Sequence, residues 1–352
     1  MKKRMTAILL LFLALAMVTA CSSPAPASPA APAESESAGG ADTPAAAAPV
    51  VIQIGYENHP GEPVDLAVNE WARLLEERSG GNMKMEVFPS SQLGSKNDII
   101  DQMLAGSSVI TLADGAFYAD RGVPDFGIVF GPFIFPSWDD AWRLIESDWY
   151  AEQSALLEDQ GLKILSSNWK YGDRHTLTKS PVRTVSDLQG MKIRVPNNTI
   201  QIKGFEVLGA APTPMALGEV YTSLQQGTID GLENPLPVLY NGKFHEVAKY
   251  LSLTGHVRNF TTWITGTQFF NTLTAEQQQW LMETGNEAGF FNNELADEAT
   301  EETLQLFIDE GVEVIEVDID EFAAAAEVFY SLPEFTSIWS EGLYETVKEA
   351  MQ

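Results

Sequence analysis

Met191-Lys192-Ile193-Arg194-Val195-Pro196 alternates its side chains over four residues and then meets a proline. A period of two marks a strand with two different faces, and Pro196, which has no backbone donor, stops it. Ile193 and Val195 share one face, Lys192 and Arg194 the other, and the Arg194 guanidinium stands near the strand's carboxyl end. Working towards the C-terminus, Glu219 to Gln226 reads as helix and Thr228 to Asp230 as extended. Leu236 to Tyr250 reads as mostly helical and Thr262 to Thr265 as strand. Thr274 with Gln277 forms a capping box that opens a long helix to about Glu310, and Val312 to Val317 is a late strand. Towards the N-terminus lie a strand at Leu162 to Leu165, a helix over about Asp139 to Gln160, and a strand at Val109 to Leu112. Ser95 with Asp98 caps another helix. Met83, Met85 and Val87 alternate with charges, Ala67, Trp71, Leu74 and Leu75 recur at helical spacing, and Val51 to Gly55 is a first strand. This alternation predicts an α/β fold. Residues 51–352 exceed one ordinary domain and suggest two lobes. Ligands of open α/β sheets sit beyond the carboxyl ends of strands, so two facing lobes make a cleft.

The 352-residue chain has 45% hydrophobic residues, enough for a packed core. Its 49 acidic and 21 basic side chains give a net charge of −28, the wrong sign for a protein that tracks a nucleic-acid backbone. Cys21 is the only cysteine, so an internal disulfide and a cysteine-rich metal site are both excluded.

Residues 1–20 read as an export signal: Lys2, Lys3 and Arg4, an apolar run from Ala7 to Val18, then Thr19-Ala20-Cys21. The placement of Cys21 resembles a bacterial lipoprotein signal, in which the cysteine becomes the lipidated first residue. A lipid chain tethers a protein to a membrane without spanning it. From Ser22 to Pro49, Ala, Pro, Ser and Gly predict a flexible stalk.

Charge is unevenly placed. Lys163 to Lys203 carries eight basic residues and two acids, a local +6 in a strongly acidic chain. Such a stretch either attracts an anion or consists of solvated faces paired with acids. Arg194 offers a planar fork that matches a carboxylate, and on spacing alone it serves either a ligand or a structural ion pair. Arg174, in the extended stretch Tyr171-Gly172-Asp173-Arg174, has the same two readings. Trp169, Trp263, Phe130, Phe133 and Phe135 either line a pocket or fill the core. No histidine pair has zinc spacing, and no Gly-x-Ser-x-Gly or phosphate-binding Gly-x-x-x-x-Gly-Lys-Ser/Thr occurs. Ser167-Asn168-Trp169-Lys170 lacks the partner motifs of a penicillin-binding site.

Six ordered segments carry a family resemblance. They are Phe88-Pro89-Ser90-Ser91-Gln92-Leu93-Gly94, Gly131-Pro132-Phe133-Ile134-Phe135, Gly190 to Asn197, Gly209-Ala210-Ala211-Pro212-Thr213-Pro214-Met215, Gly218 to Gly227 and Asp230-Gly231-Leu232-Glu233-Asn234-Pro235. In this order the chain resembles the DctP-type substrate-binding proteins of tripartite ATP-independent periplasmic (TRAP) transporters. The resemblance implies a two-lobe periplasmic-binding-protein-like fold with hinge strands, an interlobe cleft and a long bracing helix near the C-terminus. It divides the chain into a signal (1–20), a lipidated cysteine and linker (21–50), lobe I (51–171 and about 260–299), lobe II (172–259 and about 300–327) and a C-terminal helical segment (328–352).

By the same resemblance, Arg194 pairs with a ligand carboxylate, Arg174 contacts the same group or a second acid, and Asn234 reaches the carboxylate. Asn197 is a polar contact, and Asp114 accepts from ligand hydroxyls or amines. Glu57 and Asn58 are further pocket candidates, with Trp169 beside them. Leu217 stands where sialic-acid-binding members carry an aromatic, and Lys96 stands where they tend to have an acid. The implied protein is a lipid-anchored extracytoplasmic receptor. It binds a small organic acid, needs no cofactor, acts as a monomer and delivers its ligand to separate membrane permease subunits. The alternatives are a secreted hydrolase of acidic sugars, a receptor for an ATP-driven importer, and a sensor subunit that passes ligand to a signalling receptor.

Overall fold

A computed structural model describes residues 48–352; the export signal, Cys21 and nearly all of the stalk lie outside the described residues. Nine strands form one sheet: β1 (Val50–Gly55), β2 (Met83–Phe88), β3 (Val109–Ala113), β4 (Leu162–Thr178), β5 (Lys192–Val195), β6 (Ala211–Pro214), β7 (Gly231–Pro235), β8 (Tyr250–Gly266) and β9 (Glu313–Ile315). The order is β2-β1-β3-β8-β4-β7-β5-β6, with β9 on β8. β1, β2 and β3 are mutually parallel, as are β5, β6 and β7, and β4 and β8 run antiparallel between the two groups. The carboxyl ends of β1, β3, β5 and β7 therefore converge on the middle of the β4–β8 pair. This is the two-lobe α/β architecture, with both lobes drawn from one sheet.

β4 and β8 are longer than the short strands expected at Leu162–Leu165 and Thr262–Thr265; each runs 17 residues. Their alternation is hidden because the β4–β8 register shifts four times, between Ile164 and Ser166, Ser166 and Trp169, Lys170 and Gly172, and Arg174 and Thr176. Each bulge resets the in–out phase, so no single period of two runs through the strand. Gly172, at φ +127°, sits in one of these breaks, and a Cβ there would lie 2.9 Å from Pro235 Cβ. Only glycine takes that backbone without strain.

The helix opened by Thr274 spans Ala275–Asp309, with the expected capping box to Gln277. It braces the sheet by hydrogen bonds to the centre of β4. Lys170 N donates to Asn293 Oδ1, while Asn292 Nδ2 and Asn293 Nδ2 donate to the carbonyls of Lys170 and Asn168. Other expectations need correction. The helix expected over Asp139–Gln160 is two, Trp138–Ile145 and Asp148–Asp159, because Ser147 caps the second by accepting from Tyr150 N. The helix expected to reach Tyr250 stops at Asn241, and Lys243 then adopts φ +56°. The extended segment expected at Thr228–Asp230 starts at Gly231, after Gly227 closes the preceding helix in the left-handed region.

Trp71, Trp169 and Trp263 pack into one aromatic cluster in the core beside β1 and β3, with ring centroids 5.2–6.0 Å apart. Phe130 and Phe135 are also buried. A separate apolar core beside β5 gathers Val182, Leu188, Ile193, Val195, Phe205, Leu208 and Phe322.

Candidate binding site

The converging strand ends enclose a cleft with two connected chambers. The inner one is lined by Glu57, Lys96, Asp114, Phe117, Tyr171, Arg174, Arg194, Gln201, Leu217, Asn234, Asn259 and Thr261, among others. The outer one shares Glu57, Lys96, Phe117, Arg194 and Pro196 and adds Asn197, Met215 and Glu219.

Arg194 is 2% exposed at the end of β5. Its Nε and Nη2 donate to the Met215 carbonyl at 3.0 and 2.7 Å. Nη1 is buried with no partner among the described residues. Burial lowers the Arg194 pKa, while Glu57 and Glu233 offset part of that shift by charge. A buried cationic donor without an acceptor costs free energy, and an anion entering the cleft can supply one. Asn234 Oδ1, on β7, is likewise buried and unpartnered.

Arg174 borders the same chamber but is differently engaged. Its Nε and Nη2 meet Glu233 Oε2 and Oε1 at 2.5 and 2.7 Å, and Nη1 donates to Asn259 Oδ1 at 3.0 Å. Burial alone would raise the Glu233 pKa, yet the Arg174 charge and hydrogen bonds, with His256 at 3.2 Å, hold it at about 2. The two arginines are thus unequal: Arg174 has its own carboxylate and Arg194 has none.

The remaining wall carries both signs. Lys96 Nζ lies 3.8 Å from Glu57 and 4.5 Å from the centre of the Phe117 ring. Glu57 Oε1 accepts from Leu217 N at 3.3 Å, joining the segment after β1 to the segment after β6. Asp114 follows β3 and caps the next turn by accepting from Ala116 N. Burial raises the Asp114 pKa, against the lowering charges of Lys96 and Arg174.

The structure thus brings Glu57, Asp114, Arg174, Arg194, Asn197, Leu217 and Asn234 to the cleft. It does not bring Trp169 there. That indole is fully buried and donates to Ser166 Oγ and the Gly285 carbonyl, because the neighbouring bulge turns it into the tryptophan cluster. Asn58 sits one layer behind, donating to Glu62 and to the Tyr171 hydroxyl oxygen, so it positions Tyr171 rather than lining the chamber. Sequence reasoning missed Tyr171, Gln201, Asn259 and Thr261 as lining residues. Gln201 had a signal: it lies three residues after the helix cap Asn198, just past the β5 carboxyl end. The basic stretch Lys163–Lys203 is mostly neutralised locally. Lys163, Lys170, Arg174, Arg183 and Lys203 pair with Glu158, Asp297, Glu233, Glu313 and Glu206. Among the described residues, no three His, Cys, Asp or Glu side chains gather as a metal site.

Two α/β lobes around a polar cleft with a buried, unsatisfied arginine are the architecture of a solute-binding protein. The chain belongs to the bacterial extracellular solute-binding protein family 7 (DctP), whose profile matches residues 54–335. It is 34% identical over 270 residues to the 2,3-diketo-L-gulonate-binding periplasmic protein YiaO of Escherichia coli K12, covering 76% of this chain and 81% of that one. Among solved structures it resembles a TRAP periplasmic solute-binding protein from Ochrobacterium anthropi with bound L-fuconate. That likeness has a TM-score of 0.84 and 43% identity, over 87% of this chain and 100% of that one. It also resembles one from Actinobacillus succinogenes 130z with bound L-galactonate, with a TM-score of 0.82 and 39% identity, over 86% and 99%. The protein is a TRAP-type solute-binding receptor of a periplasmic family, and not an enzyme, which sets aside the hydrolase alternative. Among the described residues no helix is long and apolar enough to cross a membrane.

Proposed function

We propose that the protein captures a six-carbon sugar acid, of the aldonate kind, and delivers it to the membrane subunits of a TRAP transporter. The observation that carries this reading is Arg194 Nη1, a buried cationic donor with no acceptor among the described residues. Beside it, Asn234 adds a second orphaned polar group. The rest of the wall offers two carboxylates, Glu57 and Asp114, around one ammonium, Lys96. Carboxylates accept from sugar hydroxyls and the ammonium donates to their oxygens. Two carboxyl groups around one ammonium offer little to attract a second ligand carboxylate, which disfavours dicarboxylates. Leu217, in place of an aromatic, disfavours sialic acid. The sugar acids bound by the O. anthropi and A. succinogenes relatives support the same class.

Closure follows from contacts made by both lobes. Ligand bridges Arg194 and Asn234 on one side to Glu57, Lys96 and Asp114 on the other, so the closed state binds more tightly. In this reading the hinge lies where Gly172 faces Asn259 in the β4–β8 register, between the two proposed lobes. Cys21 serves as a lipid anchor at the outer face of the cell membrane or in the periplasm, and the receptor works as a monomer.

The test is thermal unfolding of residues 48–352 with L-fuconate, L-galactonate, D-glucuronate, succinate and neutral L-fucose. An aldonate at about 100 times its Kd should stabilise by about 2.7 kcal/mol. A shift with aldonates that Arg194→Ala abolishes supports the reading; a shift with succinate or L-fucose alone overturns it. An intact mass showing unmodified Cys21 in membrane fractions overturns the anchor.

A further inference from the structure

A second cavity lies behind the inner chamber. Phe130, Pro132, Ile200, Gln201, Gly204, Phe205, Leu208, Glu233, His256 and Val257 line it, and it is narrow. Its wall is apolar except for Gln201, Glu233 and His256. Two of these three are committed elsewhere: Glu233 to Arg174, and His256 to Glu233 and Thr254. The ligand chamber and this annex are separated by two structures. One is the Arg174–Glu233 pair, whose guanidinium lies 5.5 Å from the centre of the Phe130 ring. That pair is bidentate and rigid. The other is Gln201, the one described residue that lines both spaces.

Gln201 is held in place. Its backbone N–H donates to Asn198 Oδ1 at 2.9 Å, and its Oε1 accepts from Asn198 Nδ2 at 2.8 Å. The side chain is 6% exposed. Its Nε2 makes no hydrogen bond to another described residue, so a donor is presented at the partition with its orientation fixed by the helix cap. Neither surface of the partition is neutral towards ligand: one side offers an amide N–H to a hydroxyl, the other an apolar pocket to an alkyl group.

We infer that Gln201 is a specificity-determining residue, a polar partition that restricts the receptor to hydroxylated acids and shuts acids with apolar tails out of the annex. This rests on the sugar-acid reading for its first half; the annex half stands without it. A buried hydroxyl that loses its partner is penalised more than a missing methylene, so the carboxamide discriminates by hydrogen bonding. Truncating it joins the annex to the chamber. Each tail methylene that then enters apolar surroundings gains about 0.8 kcal/mol, about fourfold in affinity.

The experiment compares the parent with Gln201→Ala and Gln201→Met in residues 48–352, by calorimetry against L-galactonate and straight-chain alkanoates from four to eight carbons. The Asn198 cap to the Gln201 backbone survives both changes, and ligand-free melting confirms that the variants fold. Gln201→Met fills the partition without the donor. It should lose about tenfold or more for L-galactonate and bind alkanoates no better than the parent. Gln201→Ala should lose L-galactonate similarly and gain alkanoate affinity with chain length. If both variants bind L-galactonate like the parent, the donor role is overturned. If Gln201→Ala shows no chain-length dependence, the partition is overturned. Should the parent itself ignore L-galactonate, the sugar-acid reading fails, while the alkanoate series still decides the partition.

Discussion

The Arg174 guanidinium meets the Glu233 carboxylate with two parallel contacts, Nε–Oε2 at 2.5 Å and Nη2–Oε1 at 2.7 Å, with both side chains buried. Arg194, two strands along the sheet from Arg174, is equally buried and among the described residues has only the Met215 carbonyl as hydrogen-bond partner. One arginine is a finished structural pair and the other an unfinished one. The ligand-free protein therefore holds a positive charge whose natural complement comes from outside, and the neighbouring pair keeps Arg174 from competing for it.

That asymmetry separates binding from stability at Arg194. Arg194→Met removes an unpaired buried charge and keeps much of the side-chain volume. Replacing buried ionic groups by apolar ones of similar size is often neutral or stabilising by about 1–4 kcal/mol. The ligand-free melting temperature should hold or rise. Affinity for the organic acid should fall by about 10- to 150-fold, the worth of charge-assisted hydrogen bonds. Calorimetry and melting on the same samples check both. A variant that melts lower yet still binds would make Arg194 a structural residue.

Glu233 predicts an acid limb. Its folded pKa, at about 2, lies below the ordinary value of 4.5. A carboxylate depressed in this way contributes stability above pH 4.5 and loses it as pH falls towards 2. Its share of that loss is roughly 3 kcal/mol. Glu233→Gln should cost about 3–5 kcal/mol at pH 7, because it leaves Arg174 buried without its acid. The same variant should flatten the stability profile between pH 4.5 and 2. Urea unfolding midpoints across that range give the comparison, and an unchanged acid slope in Glu233→Gln counts against the pair.

Some of this was legible in the sequence. Lys192–Val195 declares itself by alternation and Pro196, and the capping boxes at Ser95–Asp98 and Thr274–Gln277 mark their helix starts correctly. The middles of β4 and β8 were not legible. Polar residues such as Asn168, Asp173 and Asn259 interrupt the pattern there, and bulges reset its phase. Asn259 and Thr261 line the cleft because β8 extends well before the short strand expected at Thr262–Thr265. Trp169 is the converse: an aromatic beside a charged stretch, drawn into the core by two tryptophans remote in sequence. The basic run at Lys163–Lys203 misleads in one respect, since its acid partners Glu233, Asp297 and Glu313 lie far along the chain.

The long helix should be sensitive at Gly285. A Cβ there would lie 2.8 Å from Trp71 Cζ2, and the Trp71 indole is fixed by donating to the Leu281 carbonyl. Alanine gains about 1 kcal/mol of helix propensity over glycine. Overpacking a filled core costs about 1–3 kcal/mol. The ring cannot retreat without breaking its hydrogen bond, so Gly285→Ala should be net destabilising. A lowered urea midpoint is the expected result; a raised one would mean that the tryptophan cluster yields.

Glu62 predicts the opposite limb from Glu233. It is fully buried behind Tyr171, accepting from Asn58 Nδ2 at 2.6 Å and from His59 N at 2.8 Å. Burial pushes its pKa up to about 7, against the lowering effect of those two hydrogen bonds and with a further rise from Asp65. A carboxyl whose folded pKa is raised contributes stability that is fully present below about pH 4.5 and lost as pH rises through about 7. Glu62→Gln carries the neutral form at every pH. It should match the parent at pH 5 and exceed it at pH 8 by roughly 1–3 kcal/mol. Urea midpoints at the two pH values give the answer directly. A variant weaker than the parent at pH 8 would show that the Asn58 and His59 hydrogen bonds outweigh desolvation, and that Glu62 stays ionised where it supports Asn58 and, through it, Tyr171.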